Sequence, residues 1–151
     1  VDAFKSTLEE VTDADLIVHV VDGSHPDPFE QIRAVRQVIS EIGAAEVPEL
    51  IAINKADIAE PEKIMALLRN ESNSFAFSAK TGFGIDNLLR AIESSLPHPN
   101  IEIDTVIPYN RGDLVNAIHE KGEVLEEEYR PEGTYVRALV DDRLAKRVNS
   151  L

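Results

Sequence analysis

Hydrophobic positions change their period along the chain, and those changes predict its elements. Phe4, Leu8 and Val11 stand at i, i+4 and i+7, one face of a helix. Leu16 to Val21 is an apolar run rich in Val and Ile, interrupted only by His19, the pattern of a strand covered on both faces. Asp27-Pro28-Phe29-Glu30 reads as a helix start. Asp27 suits the N-cap, Pro28 the first helical position, and Glu30 the return arm of a capping box. Ile32, Val35, Ile39 and Ile42 line one face of that helix, and Gly43 offers it a left-handed end. Leu50 to Ile53 is a second buried strand. Pro61 opens a short helix carrying Ile64, Leu67 and Leu68. Phe75 to Phe77 is a third strand, and Gly84 leads into a helix with Ile85, Leu88, Leu89 and Ile92 facing inward. This alternation builds right-handed crossovers. It predicts an α/β unit with adjacent parallel strands near 16–22, 50–54 and 75–78 and helices on both faces.

Leu96-Pro97-His98-Pro99-Asn100 breaks the pattern, because two prolines impose an extended link. The expected organisation is therefore one unit over 1–96, a linker over 97–100 and a smaller unit over 101–151. In the second unit Ile101 and Ile103 alternate with Glu102 and Asp104 in a strand over 101–107. Leu114, Val115 and Ile118 suit a helix ended by Gly122. Strands over 124–129 and 135–140 flank the turn signal Arg130-Pro131-Glu132-Gly133. Leu144, Val148 and Leu151 suit a last helix. That order, β-α-β-β-α, is most of a ferredoxin-like α+β unit without its final strand. The run Glu126-Glu127-Glu128 reads as a solvated hairpin face.

Composition narrows the partners. The 151 residues carry 15 basic and 28 acidic side chains, a formal charge of −13. Such a chain does not coat nucleic acid by itself, since that requires clustered Lys and Arg. It contains no cysteine, which removes disulfide frameworks and thiolate metal sites. With no signal peptide and no long apolar span, the expectation is a soluble cytoplasmic protein with no membrane partner. The opening Val1-Asp2-Ala3-Phe4 lacks a Met and reads as the start of a fragment.

Two motifs carry the chemistry. Asn54-Lys55-Ala56-Asp57 follows the second strand, and Ser78-Ala79-Lys80 follows the third. Both then stand at the carboxyl edge of the sheet, where open α/β sheets place ligands. Guanine presents two adjacent donors, N1–H and the 2-amino group. One ionised carboxylate accepts both, and Asp57 is the candidate. Adenine lacks both hydrogens and would leave that carboxylate unpaired. Asn54 can brace the loop, and Lys55 and Lys80 can lay their stems on the two ring faces. Ala79 offers a backbone N–H to the base carbonyl. Asp22, at the end of the first strand, could face the nucleotide site, but reads more simply as a polar strand end before the turn Gly23-Ser24-His25-Pro26. His19 and His119 read as core or rim histidines. No residues have convincing metal spacing, and no nucleophile has a base beside it. The chain contains no Gly-x-x-x-x-Gly-Lys-Ser/Thr phosphate loop.

Along its whole length the sequence resembles the HflX family of translation-related P-loop GTPases. Val1 to Glu10 is similar to the family's helix after the second switch. Ala14-Asp15-Leu16, His19-Val20-Val21-Asp22 and Ser24-His25-Pro26 are similar to its next strand and loop. Asn54-Lys55-Ala56-Asp57 and Ser78-Ala79-Lys80-Thr81-Gly82 match the fourth and fifth G motifs. Pro108-Tyr109-Asn110-Arg111-Gly112-Asp113-Leu114, Leu125-Glu126-Glu127 and Glu132-Gly133-Thr134 resemble the family's small C-terminal domain. The resemblance implies a partial, Rossmann-like P-loop GTPase sheet that binds GTP or GDP through Asn54, Lys55, Asp57, Ser78, Ala79 and Lys80. It implies Mg²⁺ whose ligands lie outside this chain, as do the phosphate loop and switches, so no residue here is expected to be catalytic and the segment alone is expected to be inactive. It also implies binding to the large ribosomal subunit, coupled to ribosome rescue or splitting. Two alternatives stand beside this reading: a non-catalytic docking module, and a segment of an Era- or Obg-like GTPase. In the implied fold the Leu16–Val21 strand pairs with the strand carrying the phosphate loop. Without that partner its open edge is expected to support self-association.

Overall fold

Three apolar runs form a parallel sheet in the order β1-β2-β3: β1 (Ile17–Asp22), β2 (Glu49–Asn54) and β3 (Ser74–Ala76). The computed structural model describes residues 8 and 10–151, which divide into two compact units after Leu96. Register sets Asp22 beside Asn54 and Ile53 beside Ala76, so the strands end together at one edge. The central strand is buried from Leu50 to Ile53, as a strand covered on both faces should be. Helices α1 (Pro28–Glu41) and α2 (Pro61–Asn70) cover one face through Ile32, Ile64 and Leu67 against Val21, Ile51 and Ile53. Helix α3 (Ile85–Ser95) covers the other, with Leu88 against Leu50, Ala52 and Phe77. The predicted α/β architecture with helices on both faces is the observed one.

The departures are local. β1 is an edge strand, and its Val18 and Val20 are 37% and 61% exposed. They share a face with Leu50 and Ala52, but α3 packs over the inner strands and leaves them open. The expected cover on both faces of β1 is therefore half present among the described residues. Val35 and Leu89, expected inward, are exposed, because a helix on a sheet buries only a narrow stripe. The third strand stops at Ala76, and Phe77 and Ser78 already belong to the following loop. Asp27 caps α1, accepting from the Glu30 N–H at 3.1 Å. Glu30 does not close the box: its carboxylate holds Arg33, and the Asp27 N–H donates to His25 Nδ1 at 3.0 Å. At the other end Gly43 adopts φ +81°, and the Ala44 N–H donates to Ile39 O at 2.9 Å, the predicted left-handed stop. Phe4 of the expected first helix lies outside the described residues, and Val11 falls in a 3₁₀ turn, Glu10–Asp13.

Arg36 ties this unit together. Its guanidinium reaches Glu49 on β2 and Glu71 after α2 at 2.7 and 2.6 Å, and both carboxylates hold it well above its ordinary pKa. Glu49 also meets His19 Nδ1 at 3.3 Å, so His19 is a core histidine tied to a rim carboxylate.

The second unit contains β4 (Ile101–Ile107), α4 (Gly112–Lys121), β5 (Glu123–Arg130), β6 (Gly133–Val140) and α5 (Asp142–Asn149). Its antiparallel sheet runs β4-β6-β5, so the last strand of the hairpin inserts between the other two. That is the ferredoxin-like arrangement with three strands. Ile107, Leu114, Ile118, Val136 and Leu144 centre its single core. A bulge between Val124 and Glu126 changes how the acidic run lies. Glu126 and Glu128 pair with Arg137 and Tyr135 in register, whereas Glu127 sits opposite buried Val136 and meets His119 Nε2 at 2.6 Å. The run is thus split between the two faces of the sheet.

Candidate functional site

The loops that leave β2 and β3 meet at the carboxyl edge of the parallel sheet. Between them lies a cavity of about 250 Å³ lined by Asn54, Lys55, Asp57, Ile58, Ser78, Ala79 and Lys80. All six residues named from the sequence border it. The seventh, Ile58, was not expected; it is 66% exposed, which only the folded chain reveals. Ligand pockets for drug-sized molecules run to about 300–1,000 Å³. This one has room for a single flat ring system.

Asn54 organises the site. Its Oδ1 accepts the Lys55 N–H at 2.7 Å and the Ala79 N–H at 3.1 Å, joining the two loops through one side chain. Lys55 sits at φ +64°, the left-handed region that few non-glycine residues enter. Backbone bonds from Ala59 to Lys55 O at 2.9 Å and from Ala56 to Phe77 O at 3.1 Å hold that turn against the third strand. Ser78 is fully buried, and its Oγ accepts the Thr81 N–H at 3.2 Å, so its side chain shapes the second loop. Asp57 and Lys80 are exposed and have no side-chain partner among the described residues. Their charged groups are free to meet a ligand. The Ala79 N–H, expected to point at a base carbonyl, is engaged by Asn54 instead.

Asp22 ends β1 before a turn, as expected, and it also reaches the loop that leaves β2. Its Oδ2 accepts Lys55 Nζ at 3.0 Å, and its Oδ1 accepts the Ser24 N–H and hydroxyl at 2.9 and 2.7 Å. The Ser24 hydroxyl and the Lys55 ammonium draw its pKa down from 3.8 to about 2. Parallel register places Asp22 beside Asn54, which no local pattern reveals. Gly23 makes that approach possible: its N–H donates to Asn54 O at 2.9 Å, and a Cβ there would stand 2.9 Å from the same oxygen and 2.7 Å from Ile64 Cδ1.

Among the described residues no group of three or more His, Asp or Glu side chains is placed to hold a metal ion. The side chains suit a polar heteroaromatic ring, with an exposed carboxylate and two lysines bordering the cavity. It does not suit Mg²⁺.

A parallel sheet covered on both faces, with Asn-Lys-x-Asp and Ser-Ala-Lys loops at its carboxyl edge, is part of the P-loop GTPase fold. No family model matches the chain. Curated relatives do. It is 37% identical over 150 residues to "GTPase HflX" of Caldanaerobacter subterraneus subsp. tengcongensis, covering 99% of this chain and 34% of that protein. It is 37% identical over 145 residues to "GTPase HflX" of Akkermansia muciniphila, covering 93% and 33%. It is 34% identical over 132 residues to "GTPase HflX" of Escherichia coli K12, covering 86% and 31%. The chain belongs to the HflX family of GTPases, and it spans about a third of the length of the curated relatives it matches.

Proposed function

We propose that this segment, residues 1–96 as the C-terminal half of a G domain and 101–151 as a small C-terminal domain, reads the guanine base for a GTP-hydrolysing protein. The observation that carries this reading is the convergence of Asn54, Lys55, Asp57, Ala79 and Lys80 on one ring-sized cavity, with the Asp57 carboxylate unpaired among the described residues. Asp57 accepts N1–H and the 2-amino group together. The stems of Lys55 and Lys80 cover the ring faces, and Ile58 adds apolar contact. The Ala79 N–H turns from Asn54 toward the base carbonyl or is shared with it. GTP and Mg²⁺ supply the phosphate chemistry, with ligands for both in sequence outside this chain. No residue here is assigned to hydrolysis, and the segment alone is inactive.

In the full-length protein, Asp57→Asn moves the preference from GTP toward xanthosine triphosphate by on the order of a hundredfold, because an amide donates where the carboxylate only accepts. A variant that keeps the wild-type preference for GTP would remove Asp57 as the base reader.

The same reading includes a cytoplasmic protein bound to the large ribosomal subunit during ribosome rescue or splitting. Among the described residues no helix is long and apolar enough to cross a membrane. The second unit is more suited to ribosomal protein than to bare RNA. Of the cations Arg143, Lys146 and Arg147 on α5, Lys146 is held by Asp142 and Arg147 by Asp113. Deleting 101–151 from the full-length protein should reduce pelleting with large subunits while GTP binding survives; unchanged pelleting would leave this unit as a buttress. The open edge of β1, with Val18 and Val20 exposed, supports self-association of the segment. A single monomer mass by light scattering across a wide concentration range would count against it.

A further inference from the structure

Lys55 is anchored at two points. Its backbone N–H is held by Asn54 Oδ1, and its ammonium by Asp22 Oδ2. Asp22 is itself anchored, since both Ser24 donors bind its other oxygen. The lysine stem between these anchors lines the cavity. A free lysine side chain carries rotamer entropy, and a ligand that uses it as a wall must bear that ordering cost. Here the ordering is already done. The carboxylate and ammonium belong to residues 33 positions apart, one at the end of β1 and one just after β2, so the contact needs the register that sets Asp22 beside Asn54.

We propose that Asp22 is a positioning residue of the base site: it holds the Lys55 side chain extended, so that its stem forms one wall of the slot before nucleotide arrives. Asp22 touches no ligand and acts through Lys55. Ser24 supports it by fixing the carboxylate. This inference rests on the guanine-reading assignment of the site.

The test is a double-variant cycle in the full-length protein, read as the dissociation constant of a fluorescent GDP analogue. Lys55→Met keeps the stem and removes the ammonium. Asp22→Asn keeps the turn acceptor and removes the charge. Asp22→Asn alone should weaken GDP and GTP alike by about three- to fivefold, the scale of a partly exposed ion pair. The preference for GTP over xanthosine triphosphate should not change. In the Lys55→Met background the same substitution should have no further effect. Ser24→Ala should show a smaller loss with the same dependence on Lys55. Losses that multiply in the double variant, or unaltered affinity in Asp22→Asn, would overturn the proposal. Failure of the base-reading assignment appears separately, as an Asp57→Asn protein that still prefers GTP while residues 22 and 55 remain coupled.

Discussion

The two units divide the work of a sheet differently. In the first, β2 is buried on both faces by helices, and everything polar is pushed to the strand ends. There the chain must turn, and Asn54, Lys55, Asp22 and Ala79 satisfy one another beside a cavity. In the second, helices cover only one face, and β6 alternates buried with half-buried residues along its length. Its polar groups spread over the open face, where Arg137 lies near Glu102 and Glu126. A sheet buried twice concentrates its chemistry at one edge. A sheet buried once disperses it.

Breaking the smaller core should show how far the units depend on each other. Leu114 is fully buried at its centre, and Leu114→Ala leaves a cavity costing about 2–5 kcal/mol. Thermal unfolding followed by amide NMR should show the second unit destabilised, with the Asn54 and Ala79 signals of the site unshifted. Loss of those signals in step would show that the site depends on the second core.

Gly23→Ala tests the other side of the comparison. The added Cβ meets Asn54 O and Ile64 Cδ1 at less than 3.0 Å, so the ends of β1 and β2 must part. A destabilisation of about 1–3 kcal/mol is expected by denaturant unfolding, together with altered Asn54 and Lys55 amide shifts. Wild-type shifts at those positions would show that the strand ends accommodate the methyl group without moving.

The smallest effect is acid dependence. Asp22 has a folded pKa of about 2 against 3.8 for the ordinary carboxylate. A depressed folded pKa stabilises above the unfolded value and is lost as pH falls through the folded one. The stability difference between wild type and Asp22→Asn should therefore be constant above about pH 4 and disappear between about pH 4 and 2. The pair is partly exposed, so the difference is small. A difference that persists unchanged to pH 2 would remove the ion pair as its origin.

Much of the molecule was legible along the chain because its causes are local. Asp27 and Pro28 start α1 and Gly43 stops it, since capping and φ preference act within a few residues. The period of the apolar positions identified the parallel sheet, and Pro97 and Pro99 lie at the change from one unit to the other. The two loop motifs identified the rim of the cavity. Tertiary structure decided what depends on neighbours far apart in sequence. It turned Asp22 from a strand end into the partner of Lys55, because parallel register sets the ends of β1 and β2 side by side. It left Val18 and Val20 open, because cover depends on which helix lies across the strand and not on the strand's own composition. It set Glu127, and not Glu126 and Glu128, on the face of buried Val136, because the bulge between Val124 and Glu126 shifts which residues of the strand turn inward. Periodicity can say that a residue is apolar or that a turn is near, but pairing across a sheet is settled only when distant segments meet.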